Sequence, residues 1–242
     1  MAFVHGKKDP AMPEYWMGLG MVTMDMNKDG HKDLFCSAFG PKTTFVYFGG
    51  QALFDTTADL ELHGGAELVT GDFNGDGLTD LAARLRMYKD ANGVIHPDSV
   101  LIYMGVRDSV YALETTPRHV VAFPLCEKTP SYGSGYLGED LFASDLDGDG
   151  SDELIAATTF SFYDRHGGIA VWHYPRGDSS DTLSFPRTND AILGASMRSI
   201  QVGDVNGDGI GDFVVATTEK DVIGGGYPPP GARRIRCTRE IS

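Results

Sequence analysis

The chain has 242 residues, enough to bury a core, and its 41% hydrophobic and 22% charged content excludes a disordered polymer. Thirty-four acidic against 20 basic side chains give a net charge of -14, a surface that repels nucleic acid and anionic membranes, so neither is expected as a partner. The three cysteines, Cys36, Cys126 and Cys237, are too few for a disulfide framework or a Cys-rich zinc site, and no apolar run approaches the ~20 residues of a bilayer span.

Residues 1–16 form an N-terminal segment that starts without the apolar run of a secretory signal and is a candidate closing strand for the repeats after it. From residue 17 to 223 one pattern recurs four times, in units of about 17–62, 63–134, 135–194 and 195–223. In the first, an apolar run over 20–24 leads into Asp25-Met-Asn27-Lys-Asp29-Gly30-His31-Lys-Asp33; Leu34-Phe35-Cys36 and then Thr44–Phe48 come next. The second has a run over 66–71, Asp72-Phe-Asn74-Gly-Asp76-Gly77-Leu78-Thr-Asp80, Leu81–Ala83, an insertion at 84–98, and Val100–Met104. The third has a run over 140–144, Asp145-Leu-Asp147-Gly-Asp149-Gly150-Ser151-Asp-Glu153, Leu154–Ala157 and Ile169–Tyr174. The fourth has a run over 198–203, Asp204-Val-Asn206-Gly-Asp208-Gly209-Ile210-Gly-Asp212 and Phe213–Ala216, with no recognisable outer strand before Gly224. Residues 224–242 are a Gly/Pro/Arg-rich tail that breaks the acidic trend. Short apolar runs bounded by Gly and Asp read as strands, so each acidic motif is the loop of a β-hairpin and the chain is all-β.

All four loops read D-x-[DN]-x-D-G-x-x-[DE], too many copies for accident. A hard divalent cation takes six to eight oxygens at about 2.3–2.6 Å, and flexible coordination of this kind favours Ca²⁺ over Mg²⁺. Side chains at positions 1, 3 and 5 of a tight loop can converge on one point. The glycine at position 6 turns the backbone so that the carbonyl of position 7 faces inward, and position 9 adds a carboxylate. The expected ligands are therefore Asp25, Asn27, Asp29, His31 and Asp33; Asp72, Asn74, Asp76, Leu78 and Asp80; Asp145, Asp147, Asp149, Ser151 and Glu153; and Asp204, Asn206, Asp208, Ile210 and Asp212, for up to four Ca²⁺. An EF-hand needs a bidentate Glu at position 12, where this chain has Cys36, Ala83, Ala156 and Val215, and it is excluded. Asp or Asn before Gly also makes a good turn without any ion, but a solvated turn does not require an acid at position 9 in every copy.

These loops and the strands around them resemble the FG-GAP repeat family, also called VCBS or integrin-alpha-like. The likeness includes a glycine seven residues before the first Asp in three copies, Gly18, Gly65 and Gly138, replaced by Met197 in the fourth, and a third strand at Gly168–Tyr174. The resemblance implies a β-propeller of which about four blades are present, a partial or truncated one, with the loops on one face. Strand connections and blade linkers would emerge on the opposite face, at 38–44, at 84–98 with Tyr88 and His96, at 161–168 and near 114–136. A protein or carbohydrate ligand is expected there.

No nucleophile elbow, zinc-protease helix or phosphate loop is present, so no catalytic residue is expected. His166 and His173, with Asp164 and Arg165, read as a solvated hairpin tip; Trp172 and Tyr174 share a strand face and read as packing between sheets. Cys36 and Cys126 read as small buried hydrophobes. Two functions remain: a non-catalytic recognition or adhesion module, or the propeller scaffold of a secreted polysaccharide lyase or other hydrolytic enzyme. Extracellular calcium modules bind at about 10⁻⁴–10⁻³ M, a range met outside cells, so an extracellular or cell-surface location is expected.

Overall fold

The structure, a computed structural model, describes residues 17–38, 42–50, 57–86, 88–90, 92–96, 99–122, 140–158, 168–174, 197–217 and 236–237. Expectations placed on the N-terminal segment, Cys126, Gly138 and the tip at 164–166 lie outside the described residues. The described residues are all β, in antiparallel sheets with no helix, and the chain divides into two compact units. Among the described residues no helix is long and apolar enough to cross a membrane.

The first unit holds two four-stranded sheets. One is a meander of β1 (Met17–Met24), β2 (Asp33–Ala38), β3 (Thr43–Tyr47) and β4 (Leu60–His63). Its register places Val22 opposite Phe35 and Leu34 opposite Tyr47. The other runs β5 (Leu68–Gly71), β6 (Asp80–Leu85), β9 (Ser99–Tyr103), β10 (His119–Ala122), with a small hairpin of β7 (Tyr88–Lys89) and β8 (Ile95–His96) inserted between β6 and β9. The insertion expected at 84–98 is this hairpin, and part of the linker expected near 114–136 is strand β10.

Every residue of β6 and β9 is buried, the mark of interior strands covered on both faces. Strand β1 lies flush against the start of β5: a Cβ on Gly20 would stand 2.6 Å from the Ala66 carbonyl oxygen. Ser37 closes the seam, accepting from Gly20 N–H at 2.8 Å and donating to the Ala66 carbonyl. One apolar core spans both sheets, with Phe35, Val46, Leu62, Leu81, Leu101 and Tyr103 at its centre. Cys36 is buried beside Phe45 and Tyr47, a small hydrophobe as its sequence context implies.

The second unit holds β11 (Asp140–Ser144), β12 (Glu153–Thr158) and β13 (Gly168–Trp172) in one sheet, and β14 (Met197–Gly203), β15 (Asp212–Thr217) and β16 (Arg236–Cys237) in another. Strand β16 comes from the terminal segment 224–242 and supplies the third strand that the fourth repeat lacks in sequence. Trp172 is fully buried, and Leu146, Ile155 and Val171 form the core beside it. Among the described residues every sheet is open, and none closes on itself.

Candidate metal centres

Each acidic motif links the first two strands of its sheet, and the four loops share one hydrogen-bond pattern. The position-1 carboxylate accepts the N–H of position 5 with one oxygen and that of Gly at position 6 with the other. For Asp25 the distances are 3.0 and 2.9 Å, for Asp72 3.1 and 2.8 Å, for Asp145 3.1 and 2.9 Å, for Asp204 3.2 and 2.8 Å. The side-chain oxygens of Asn27, Asp147 and Asn206 at position 3 also accept the position-5 N–H of their loops. The position-5 carboxylate accepts the N–H of position 7, from His31, Leu78, Ser151 and Ile210, at 2.8–2.9 Å. Positions 1, 3 and 5 are thereby folded around one backbone amide. Two left-handed residues make this turn: φ is 61° at Lys28, 71° at Gly75, 77° at Gly148 and 82° at Gly207, all position 4, and 78–88° at the position-6 glycines. The left-handed requirement at position 4 escapes sequence reading, although glycine in three of four copies signals it.

Position 9 is the buried floor of the loop. Asp33 and Asp80 are fully buried and Glu153 nearly so, while Asp212 is half-buried. Its carboxylate accepts the N–H of position 2, from Met26 to Asp33 at 2.7 Å, from Leu146 to Glu153 at 2.6 Å and from Val205 to Asp212 at 3.1 Å. The other oxygen of Asp33 takes Gly49 N–H at 2.7 Å, and Asp80 takes Gly105 N–H at 2.6 Å. A carboxylate oxygen carries two lone pairs, so these bonds leave room for a further partner. Position 2 is a second missed anchor: Met26, Phe73 and Leu146 are buried, and apolar character in every copy is its signal.

Loop 3 is the most acidic. Carboxylate oxygens of Asp145, Asp147 and Asp149 lie within 4.8 Å of one another, and so do donor atoms of Asp147, Glu153 and His173. Like charges at this separation repel by about 1 kcal/mol per pair even in bulk water, and a divalent cation removes that repulsion. The Asp29 and Asp204 carboxyls sit below the usual range, chiefly through the N–H groups of His31 and Gly209 respectively. Burial pushes Glu153 up, against the pull of Leu146 N–H and His173. The donors at positions 1, 3 and 5 are hard oxygens on an exposed rim, which fits calcium; loops 1, 2 and 4 substitute Asn for one carboxylate at position 3.

A strap over 104–114 joins loops 1 and 2. Ala112 N–H donates to the Met26 carbonyl at 2.7 Å, and the Lys28 ammonium donates to the carbonyls of Val106, Arg107 and Ser109 at 2.7–3.1 Å. Arg107 in turn donates to the Asp76 carbonyl at 2.9 Å. In the second unit Gly211 N–H donates to the Asp145 carbonyl at 2.7 Å, joining loops 3 and 4. In the hairpin of β7 and β8, Asp90 accepts from Asn92 and Val94 N–H and pairs with His96 at 3.2 Å, a self-contained turn.

The FG-GAP-like repeat profile matches residues 145–215, and the FG-GAP repeat profile matches residues 64–93. The chain is similar to phosphatidylinositol-glycan-specific phospholipase D of Rattus norvegicus, 27% identical over 76% of this chain and 24% of that protein. The Mus musculus protein of that name is 28% identical over 76% of this chain and 22% of its own length. The chain thus spans about a quarter of the length of the curated relatives it matches. Among solved structures, the exotype rhamnogalacturonan lyase YesX superposes with a TM-score of 0.50 at 16% identity, over 88% of this chain and 41% of the lyase, a likeness of fold.

Proposed function

This chain carries FG-GAP repeats, and on that basis we propose that it is a calcium-stabilised β-propeller segment acting as a non-catalytic extracellular recognition or adhesion module. The observation that carries the calcium assignment is the same oxygen-lined turn built four times, with positions 1, 3 and 5 gathered around one amide. Calcium stiffens the hairpins, and the opposite ends of the sheets present the connections that vary in length and meet a protein or carbohydrate. Support for export comes from the millimolar calcium outside cells that loops of this class need. Equilibrium dialysis against radioactive calcium tests the assignment: about four ions per chain are expected, and a count of zero at millimolar calcium rejects it.

The second reading, the scaffold of an enzyme, is favoured by the names of the similar proteins, a phospholipase D and a lyase. Incubating the full chain with rhamnogalacturonan and with a phosphatidylinositol-glycan substrate separates the two. No turnover is expected of a recognition module, and turnover abolished by mutating a described residue would establish the enzyme.

A further inference from the structure

Residues 104–118 carry the chain from β9 to β10 with one isolated β-bridge, Gly105 to Leu113, among them. Connections of this length without strand or helix are uncommon and usually functional. This one is also tied down along its length. Lys28 donates to three of its carbonyls, Arg107 fastens it to loop 2, and the N–H groups of Glu114 and Arg118 return to the carbonyls of Met104 and Ile102 at 3.0 and 2.8 Å. Held so, the connection folds around a cleft of about 560 Å³, within the size range of small-molecule sites. Tyr103 pairs with Leu81, just past loop 2, so the cleft stands at the loop end of its sheet, away from the connections at 38–44 and 84–98.

The lining has three parts. Tyr111 gives an apolar wall, with Pro117 also on the lining; the tyrosine ring packs against Phe48, centroids 6.1 Å apart, which fixes it in place. Ser109 and Thr116 bring exposed hydroxyls, each able to donate and to accept. Glu114 and Arg118 meet as a bidentate pair, Nε donating to one carboxylate oxygen at 3.2 Å and Nη2 to the other. They are the charged members of the lining and cancel each other, so a charged ligand finds no countercharge there. The carboxylate oxygens still keep lone pairs for a further donor. A fitting ligand therefore has an apolar face for the tyrosine ring, several hydroxyls at its edge and no net charge. A pyranose ring has all three. We propose that the cleft formed by residues 106–118 binds an uncharged sugar ring, stacked on Tyr111 and hydrogen-bonded by Glu114, Ser109 and Thr116. This site is additional to the connections at the opposite ends of the sheets, and it does not rest on the loops holding calcium.

The test mixes the full chain with the methyl glycosides of glucose, galactose and mannose, and with methyl glucuronide as the charged comparison, in millimolar calcium and again in chelator. Saturation-transfer nuclear magnetic resonance reads the contact. Transfer to the ring C–H protons of an uncharged glycoside is expected in the wild type and should vanish in Tyr111→Ala. Glu114→Gln keeps the shape of the side chain and should weaken binding about tenfold, the effect of losing a charge-assisted hydrogen bond. Should Tyr111→Ala not fold, Glu114→Gln and Thr116→Val, both altered at the surface, decide the matter. No transfer to any uncharged glycoside, transfer to the glucuronide alone, or transfer unchanged in Glu114→Gln and Thr116→Val overturns the proposal. Transfer that follows the variants supports the cleft in either solution, so the calcium reading can fail while this site stands, and the reverse.

Discussion

Asp33 is a metal-ligand candidate whose carboxylate also receives the N–H groups of Met26, Asn27 and Gly49 at 2.7–3.2 Å inside the protein. Removing the acceptor strands the buried Met26 N–H at about 1–3 kcal/mol and loses two part-buried bonds, from Asn27 and Gly49, worth about 0.5–1.5 kcal/mol each. Asp33→Ala should therefore cost about 3 kcal/mol or more even in chelator, measured by urea denaturation; an unchanged midpoint would mean that the residue serves the ion alone. Lys28 holds a left-handed φ of 61°, so Lys28→Ala should be less stable than Lys28→Gly by about 1 kcal/mol, since both lose the ammonium and only alanine keeps the strain. Glu153 brings a pH signature. Its pKa is raised on folding, so its contribution stabilises the metal-free fold below the ordinary value of 4.5 and fades as the pH rises through the higher folded value. Melting against pH in chelator should show that loss in the wild type and not in Glu153→Gln, and saturating calcium should suppress it by stabilising the carboxylate.

At the scale of elements, the loops are legible in the sequence because their chemistry is local: Asp25, Asn27 and Asp29 bond to backbone within nine residues, so the pattern is written in the side chains themselves. The strands around them are legible from short apolar runs such as Leu34–Cys36 and Leu154–Ala157. What stays hidden is held by backbone bonds over long separations. The strap over 104–114 ties Ala112 to Met26 through peptide groups alone, and Gly105 offers only its N–H to the Asp80 carboxylate 25 residues away. Strand β16 pairs with β15 across about 20 intervening residues that carry no strand pattern. In sequence His173 reads as part of a solvated tip because its partner Glu153 is 20 residues away, on a neighbouring strand. The strap makes its own prediction. A Cβ on Gly105 would stand 2.6 Å from Leu78 Cβ and 3.0 Å from the Thr79 carbonyl oxygen, so Gly105→Ala should cost about 1–3 kcal/mol and weaken calcium binding at loops 1 and 2 together. Calorimetry that finds loop 1 untouched would show the two loops to be independent.

For the whole molecule, the charge that opens the sequence has a location. The four nine-residue loops carry -1, -3, -5 and -3, leaving the rest of the chain near neutrality, and four divalent ions would bring the net -14 to -6. On the proposed reading this acidity belongs to a metal protein written without its metal, and its sheets, open among the described residues, would gain stability from ions that pin each hairpin. Thermal unfolding of the full chain in millimolar calcium and in chelator tests this most directly. Each occupied site adds RT ln(1 + [L]/Kd), about 0.4–1.4 kcal/mol in millimolar calcium for a Kd of about 10⁻⁴–10⁻³ M, so over four sites the melting temperature should rise by several degrees with calcium and fall back on chelation. A melting temperature indifferent to calcium would contradict the account.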